Sequence, residues 1–97
     1  MAHRLAPSAE IELDDIWFYT ASESGSVAIA DRLVDAITER FFLLSRYPHI
    51  GRRRDDDLRA GLRSFSAGRY VIVYRVEGND VLILHIIAAD RDLDPLL

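Results

Sequence analysis

A change of hydrophobic period at Tyr47-Pro48 constrains this chain more than any other feature. Before that point apolar residues recur at steps of three and four, the spacing of one helix face. Beyond Leu62 they alternate or run unbroken, as strands do. A residue preceding proline is pushed out of the helical region, so a helix ends there. Helices therefore come first and hairpins later, which predicts an α+β domain. The order expected is an N-terminal strand, a two-helix antiparallel hairpin and a three-stranded antiparallel sheet. With 97 residues the chain makes one domain, 1–97.

The spacing places these elements. A short extended stretch covers residues 2–6. Pro7-Ser8 opens a helix, with Ser8 as a side chain suited to cap the first-turn amides. Ala9, Leu13, Ile16, Trp17 and Thr20 form its face, and Gly25 supplies the turn after it. A second helix covers 26–46, with the stripe Val27, Ala30, Leu33, Val34, Ile37, Phe41 and Leu44. From 49 to 60 the period is lost. Arg52-Arg53-Arg54 followed by Asp55-Asp56-Asp57 reads there as a solvated connector. Strands are expected at 62–67, 70–77 and 81–88, joined by Gly68-Arg69 and Gly78-Asn79-Asp80. The segment 81–88 is apolar on both faces and so belongs inside the sheet. The first strand joins an edge or the centre. Tyr70 and Tyr74 share a face with Ile72 and Val76 and read as core aromatics. Glu77 and Asp80 flank a turn and are expected in solvent.

Charge divides the chain into thirds. Residues 1–45 carry three Arg and eight acidic residues, 46–75 carry eight Arg and three Asp, and 76–97 carry one Arg and five acidic residues. An acidic partner strand fits the middle third. The net charge of −4 argues against gripping nucleic acid by bulk electrostatics. Every cation other than histidine is Arg, and there is no cysteine, so lysine and thiolate chemistry are excluded. His3, His49 and His85 lack metal-ligand spacing. No apolar run reaches the roughly 20 residues of a membrane span, and the start has no secretory h-region.

Short motifs then coincide with this order. Leu5-Ala6-Pro7-Ser8-Ala9-Glu10 with Leu13-Asp14-Asp15-Ile16-Trp17, Ala30-Asp31-Arg32-Leu33 and Phe41-Phe42-Leu43-Leu44 cover the first strand and both helices. Tyr47-Pro48-His49-Ile50-Gly51-Arg52, Leu58-Arg59-Ala60-Gly61-Leu62-Arg63-Ser64-Phe65, Gly68-Arg69-Tyr70-Val71-Ile72-Val73-Tyr74-Arg75-Val76 and Arg91-Asp92-Leu93 follow. Together they make the sequence resemble the ParE branch of the ParE/RelE toxin superfamily of bacterial toxin–antitoxin (plasmid stabilisation) modules. The sequence departs from the family's common L-H-x-x-R-D ending, whose histidine falls on Ala88.

The resemblance implies a cytoplasmic toxin that poisons DNA gyrase. It implies a cognate antitoxin of ParD or similar type, which wraps the toxin with a flexible segment, and contact with operator DNA only through that antitoxin. No cofactor, metal or membrane is implied. Trp17, Arg59, Arg63, Arg69 and Arg75 are candidates for antitoxin binding; Arg59, Arg63 and Arg69 are expected to converge. Arg52, Arg53, Arg54 and Arg91 are candidates for target binding. The other branch, resembling RelE, cuts messenger RNA, which demands a base, an acid and cations at the phosphate. No paired carboxylates, nucleophile with base or phosphate loop stands out here. His85, in an apolar strand, reads as a packed or edge residue. A binding inhibitor without catalytic residues is the expectation; a RelE-like endonuclease and a non-toxic member that only binds its antitoxin are the alternatives.

Overall fold

The computed structural model describes residues 2–91. Its elements are β1 (His3–Leu5), α1 (Pro7–Ser24), α2 (Val27–Arg46), β2 (Arg52–Arg53), β3 (Arg63–Ala67), β4 (Tyr70–Glu77) and β5 (Asp80–Ala88). The α+β class and the order of elements match the expectation. The sheet has five strands, in the order β1-β5-β4-β3-β2, rather than three. β1 is an edge strand parallel to β5, and every other pair is antiparallel. The strand missing from the sequence reading is β2, inside the segment read as a connector. Two residues are too few to display an alternation.

One face of the sheet packs under the helical pair. Ile37, Phe41 and Leu44 of α2 and Ala9 and Ile16 of α1 meet Ile72, Tyr74, Val81, Ile83 and Ile86 there. The apolar stripe of α2 starts at Ala30: Val27 is 57% exposed at the first turn. Ser26 caps this helix, accepting from the Ile29 N–H at 3.2 Å. Gly25 ends α1 at φ 66, a left-handed conformation that glycine adopts without Cβ strain.

The helix ahead of it starts differently from the expectation. Ala6 occupies the cap position without a side-chain bond. Ser8 Oγ instead donates to the Leu84 carbonyl at 2.9 Å. The reason lies in the sheet edge. β1 pairs only as far as Ile83, and the Ala6 N–H closes that ladder at 2.8 Å. Beyond Ile83, side chains of α1 replace the missing strand: Ser8 serves Leu84, and the Ile86 N–H donates to Glu12 Oε1 at 3.1 Å. A buried peptide group without such a partner costs stability, so the helix completes the edge.

Pairing of Val73 with His85 and of Tyr74 with Ile83 leaves Leu84 as an extra residue on β5. Such a bulge inverts the alternation. It explains how Val81, Ile83 and Ile86 all reach the same core despite their mixed parity. His85 consequently lies on the face away from the core, half-buried, with Nδ1 3.1 Å from Glu12 Oε2. Glu77 and Asp80 also depart from the expectation. Glu77 is half-buried and receives Arg4 and Arg75, each at 2.8 Å, while Asp80 Oδ1 accepts from Ala2 N at 3.3 Å. Among the described residues no helix is long and apolar enough to cross a membrane.

Candidate partner-binding groove

The arginines singled out by charge separate into tied and untied groups. Arg54 donates from Nε to both Asp57 oxygens at 3.0 Å and from Nη1 to Ser64 Oγ at 3.0 Å. The Asp57 hydrogen bond, outweighing partial burial, raises the Arg54 pKa and holds the Asp57 carboxyl below its usual range. Arg53 donates to Asp55 at 2.7 Å. Asp55 also accepts the Gly61 N–H at 2.7 Å, and that bond, ahead of Arg53, lowers its pKa. The Arg and Asp runs therefore fold onto one another as a braced turn, not a loose connector.

Arg63 Nη1 donates to the His49 carbonyl at 3.2 Å and the Gly51 carbonyl at 2.9 Å, fastening the segment that follows α2. Tyr74 fastens it from below. Its hydroxyl donates to the Pro48 carbonyl and accepts the Gly51 N–H, both at 2.9 Å. Burial raises the Tyr74 pKa, against the smaller opposing effects of the Gly51 N–H and the Arg63 charge. Arg75 pairs with Glu77. Trp17 Nε1 donates to Asp31 at 2.8 Å, bridging α1 and α2. Arg52, Arg59, Arg69 and Arg91 are exposed and make no salt bridge among the described residues.

The expected convergence of Arg59, Arg63 and Arg69 is not what the strands produce. Arg63 begins β3 and Arg69 follows its end. The strand between them, Arg63 to Ala67, alone spans about 14 Å. Arg69 instead stands at the centre of a groove that the sequence reading did not outline. A cavity of about 650 Å³ lies between the end of α1, the start of α2 and the β3–β4 turn, lined by Tyr19, Glu23, Ile29, Leu33, Arg69 and Tyr70, among others. A second of about 470 Å³ shares Tyr19, Arg69 and Tyr70 and reaches Ala88 and Asp90. A third of about 180 Å³ shares Leu33 and Gly68 and extends to Ala36 and Arg40. The three form one channel crossing the turn at Gly68-Arg69. Gly68, at φ 60, lets the hairpin turn sharply; its left-handed backbone, not crowding, is what favours glycine there, since a Cβ would meet nothing within 4 Å. Apolar walls with a few polar groups suit a polypeptide segment better than a reacting small molecule. The signal in the sequence is Tyr19 and Ile29, large apolar residues lying off both helical stripes.

The channel sits on a scaffold of defined class. A solved structure titled "Chromosomal ParDE TA system from P. aeruginosa" shares this fold with a TM-score of 0.80 at 23% identity, over 93% of this chain and 97% of that one. The strand, helical pair and five-stranded sheet are thus a fold shared with that structure. The chain belongs to the family described as ParE toxin of type II toxin-antitoxin system, parDE, whose model matches residues 4–93. Toxin ParE3 of Caulobacter vibrioides is 40% identical over 82 residues, covering 84% of this chain and 80% of that protein. Toxin ParE1 of Mycobacterium tuberculosis is 30% identical over 91 residues, covering 93% and 91%. Of the closing Arg91-Asp92-Leu93 motif, Asp92 and Leu93 lie outside the described residues, as does the rest of the C-terminal tail.

Proposed function

We propose that this chain acts as a cytoplasmic toxin that inhibits DNA gyrase by binding it, without turnover. A cognate antitoxin neutralises it by laying a flexible segment in the channel across Gly68-Arg69. Operator DNA is reached only through that antitoxin. The channel is the observation that carries this reading: apolar walls from Ile29, Leu33 and Tyr70 with an exposed cation, Arg69, suit a segment of apolar anchors and carboxylates. Such a segment gains burial while its charge meets Arg69.

The groups best suited to move protons support binding over catalysis. The Tyr74 hydroxyl is buried and bonded to both Pro48 and Gly51. His3 Nδ1 lies 3.2 Å from Ser45 Oγ, beneath the Phe41 and Phe42 rings. The gyrase target itself is what the family resemblance implies. A messenger-RNA endonuclease is the competing reading, because Toxin RelE3 of Caulobacter vibrioides is 33% identical over 82 residues.

Purified toxin added to gyrase and supercoiled plasmid is expected to yield linear, protein-linked DNA. Intact supercoiling together with cut transcripts in a translating extract would replace inhibition by ribonuclease action. Neither effect, with no growth arrest on induction, would leave only antitoxin binding. Ile29→Asp, a change on the exposed channel wall, is expected to weaken antitoxin binding at least about tenfold, or 1.4 kcal/mol, in calorimetry. Gyrase poisoning by the same variant should persist, which separates the two surfaces.

A further inference from the structure

Two surfaces outside the channel are complementary to each other. α1 carries Glu10, Glu12, Asp14, Asp15 and Glu23 and no basic residue. Its buried side is fixed by Ala9 and Ile16. At 100° per residue, Ile11 and Phe18 fall on the opposite side, one line pointing away from the core. They are 61% and 69% exposed. Asp14 and Asp15, both exposed, flank that line between the two apolar residues, which are about 10.5 Å apart along the axis. The result is a strip with two apolar knobs and carboxylates between them.

The second surface is segment 46–53, the basic middle third singled out by charge. It contains Arg46, Arg52 and Arg53 and no carboxylate. Tyr47 and Ile50 stand out from it, 51% and 45% exposed, with Arg46 and Arg52 exposed beside them. The segment is stiff for its position after a helix. Tyr74 and Arg63 hold the carbonyls of Pro48, His49 and Gly51 from the sheet. A fastened apolar and basic segment loses little freedom when a partner meets it.

We infer that the outer strip of α1 docks on segment 46–53 of a second copy of this chain. The strip supplies Ile11 and Phe18 against Tyr47 and Ile50, and Asp14 and Asp15 against Arg46 and Arg52. The two surfaces are different patches, so the contact is head-to-tail. It leaves the pair with one free strip and one free segment, so that it extends into open chains or closes into a ring. The contact is independent of the channel reading. Its charge component weakens with salt, because the Debye length falls from about 8 Å at physiological ionic strength to about 3 Å at 1 M.

Sedimentation velocity of the full chain over a range of concentrations tests this. The wild-type mass is expected to rise with concentration at low salt and to return to the monomer at about 1 M salt. Asp14→Arg with Asp15→Arg gives one variant, and Arg46→Glu with Arg52→Glu gives the other. Each alone sets like charges against each other and is expected to remain monomeric, with association weakened at least about tenfold. Mixed together, the first variant's intact segment meets the second's intact strip, and association returns. Circular dichroism and melting of each variant confirm that it folds; should Arg46→Glu unfold the end of α2, Arg52→Glu with Ile50→Asp takes its place. A wild-type chain that stays monomeric throughout, variants that associate like wild type, or a mixture that stays monomeric would each overturn the proposal.

Discussion

Replacing Tyr74 by Phe removes one oxygen and tests whether the segment after α2 is held from inside the core. The ring is fully buried (0% exposed) and remains in place in Phe, so no cavity larger than the hydroxyl opens. What is lost is the acceptor for the Gly51 N–H and the donor to the Pro48 carbonyl, each bonded at 2.9 Å. Gly51 is buried, so its N–H is stranded at about 1–3 kcal/mol. Pro48 is half-buried, and its carbonyl recovers part of its loss from water. The sum is about 2–4 kcal/mol, a large share of the roughly 5–15 kcal/mol that holds a domain folded. At about 4–8 °C per kcal/mol for a chain of this size, the melting temperature should fall by roughly 8–32 °C. Urea unfolding should give the same loss at an unchanged slope. Arg63 holds the same segment through the His49 and Gly51 carbonyls. Arg63→Gln combined with Tyr74→Phe should therefore be non-additive by more than about 0.5 kcal/mol. A fall below about 3 °C for Tyr74→Phe, with a strictly additive double variant, would refute the reasoning.

Gly51→Ala should destabilise by about 1–3 kcal/mol, because its Cβ would lie 2.6 Å from Tyr74 Cε1 in a packed core. The nearest atom to that Cβ is the Tyr74 hydroxyl oxygen; Tyr74→Phe removes it but keeps Cε1, so rescue in thermal melts should be partial. Burial lowers the His3 pKa below its ordinary 6.5, so the protonated ring is disfavoured in the folded state. Stability is then complete above that value and declines as pH falls through 6.5 toward the folded value; His3→Gln should flatten this part of a urea-midpoint profile. Glu12→Ala should cost about 1–2 kcal/mol and speed hydrogen exchange at the Ile86 amide more than at the Ile72 amide, since only the former loses its acceptor. Unchanged exchange at Ile86 would remove α1 from its role at the sheet edge.

Much of the fold is legible in the sequence because it rests on apolar period. The stripe from Ala30 to Leu44, the alternation through Tyr70–Glu77 and the break at Pro48 each record a local rule, and helices and hairpins follow from them. What the sequence conceals depends on long-range pairing. β2 is recognisable only from Ser64 and Arg63 opposite it. The extra Leu84 leaves no trace in the sequence, since the apolar run from Val81 to Ile87 looks the same with or without it. Ser8 and Glu12 look like ordinary polar residues near the start of a helix, and only the early end of β1 gives them an edge to complete. The channel is hidden for a related reason. Its walls come from α1, α2, the β3–β4 turn and the start of β4, and Tyr19 and Ile29 have no meaning until these meet.

The arginines make the same point about function. The sequence offers eight of them as partner contacts, but the structure commits Arg54 to Asp57 and Ser64, and Arg63 to two carbonyls of the segment after α2. Arg63→Glu would weaken a partner's binding by loosening that segment, so a loss of affinity alone would not make Arg63 a contact residue. Arg69 is different: it is exposed in the channel and makes no salt bridge among the described residues. Removing its charge should leave the melting temperature within about 2 °C, as surface substitutions usually do. A variant Arg69→Glu that keeps its melting temperature and loses antitoxin affinity locates the partner's carboxylate in the channel. One that keeps both places that partner elsewhere.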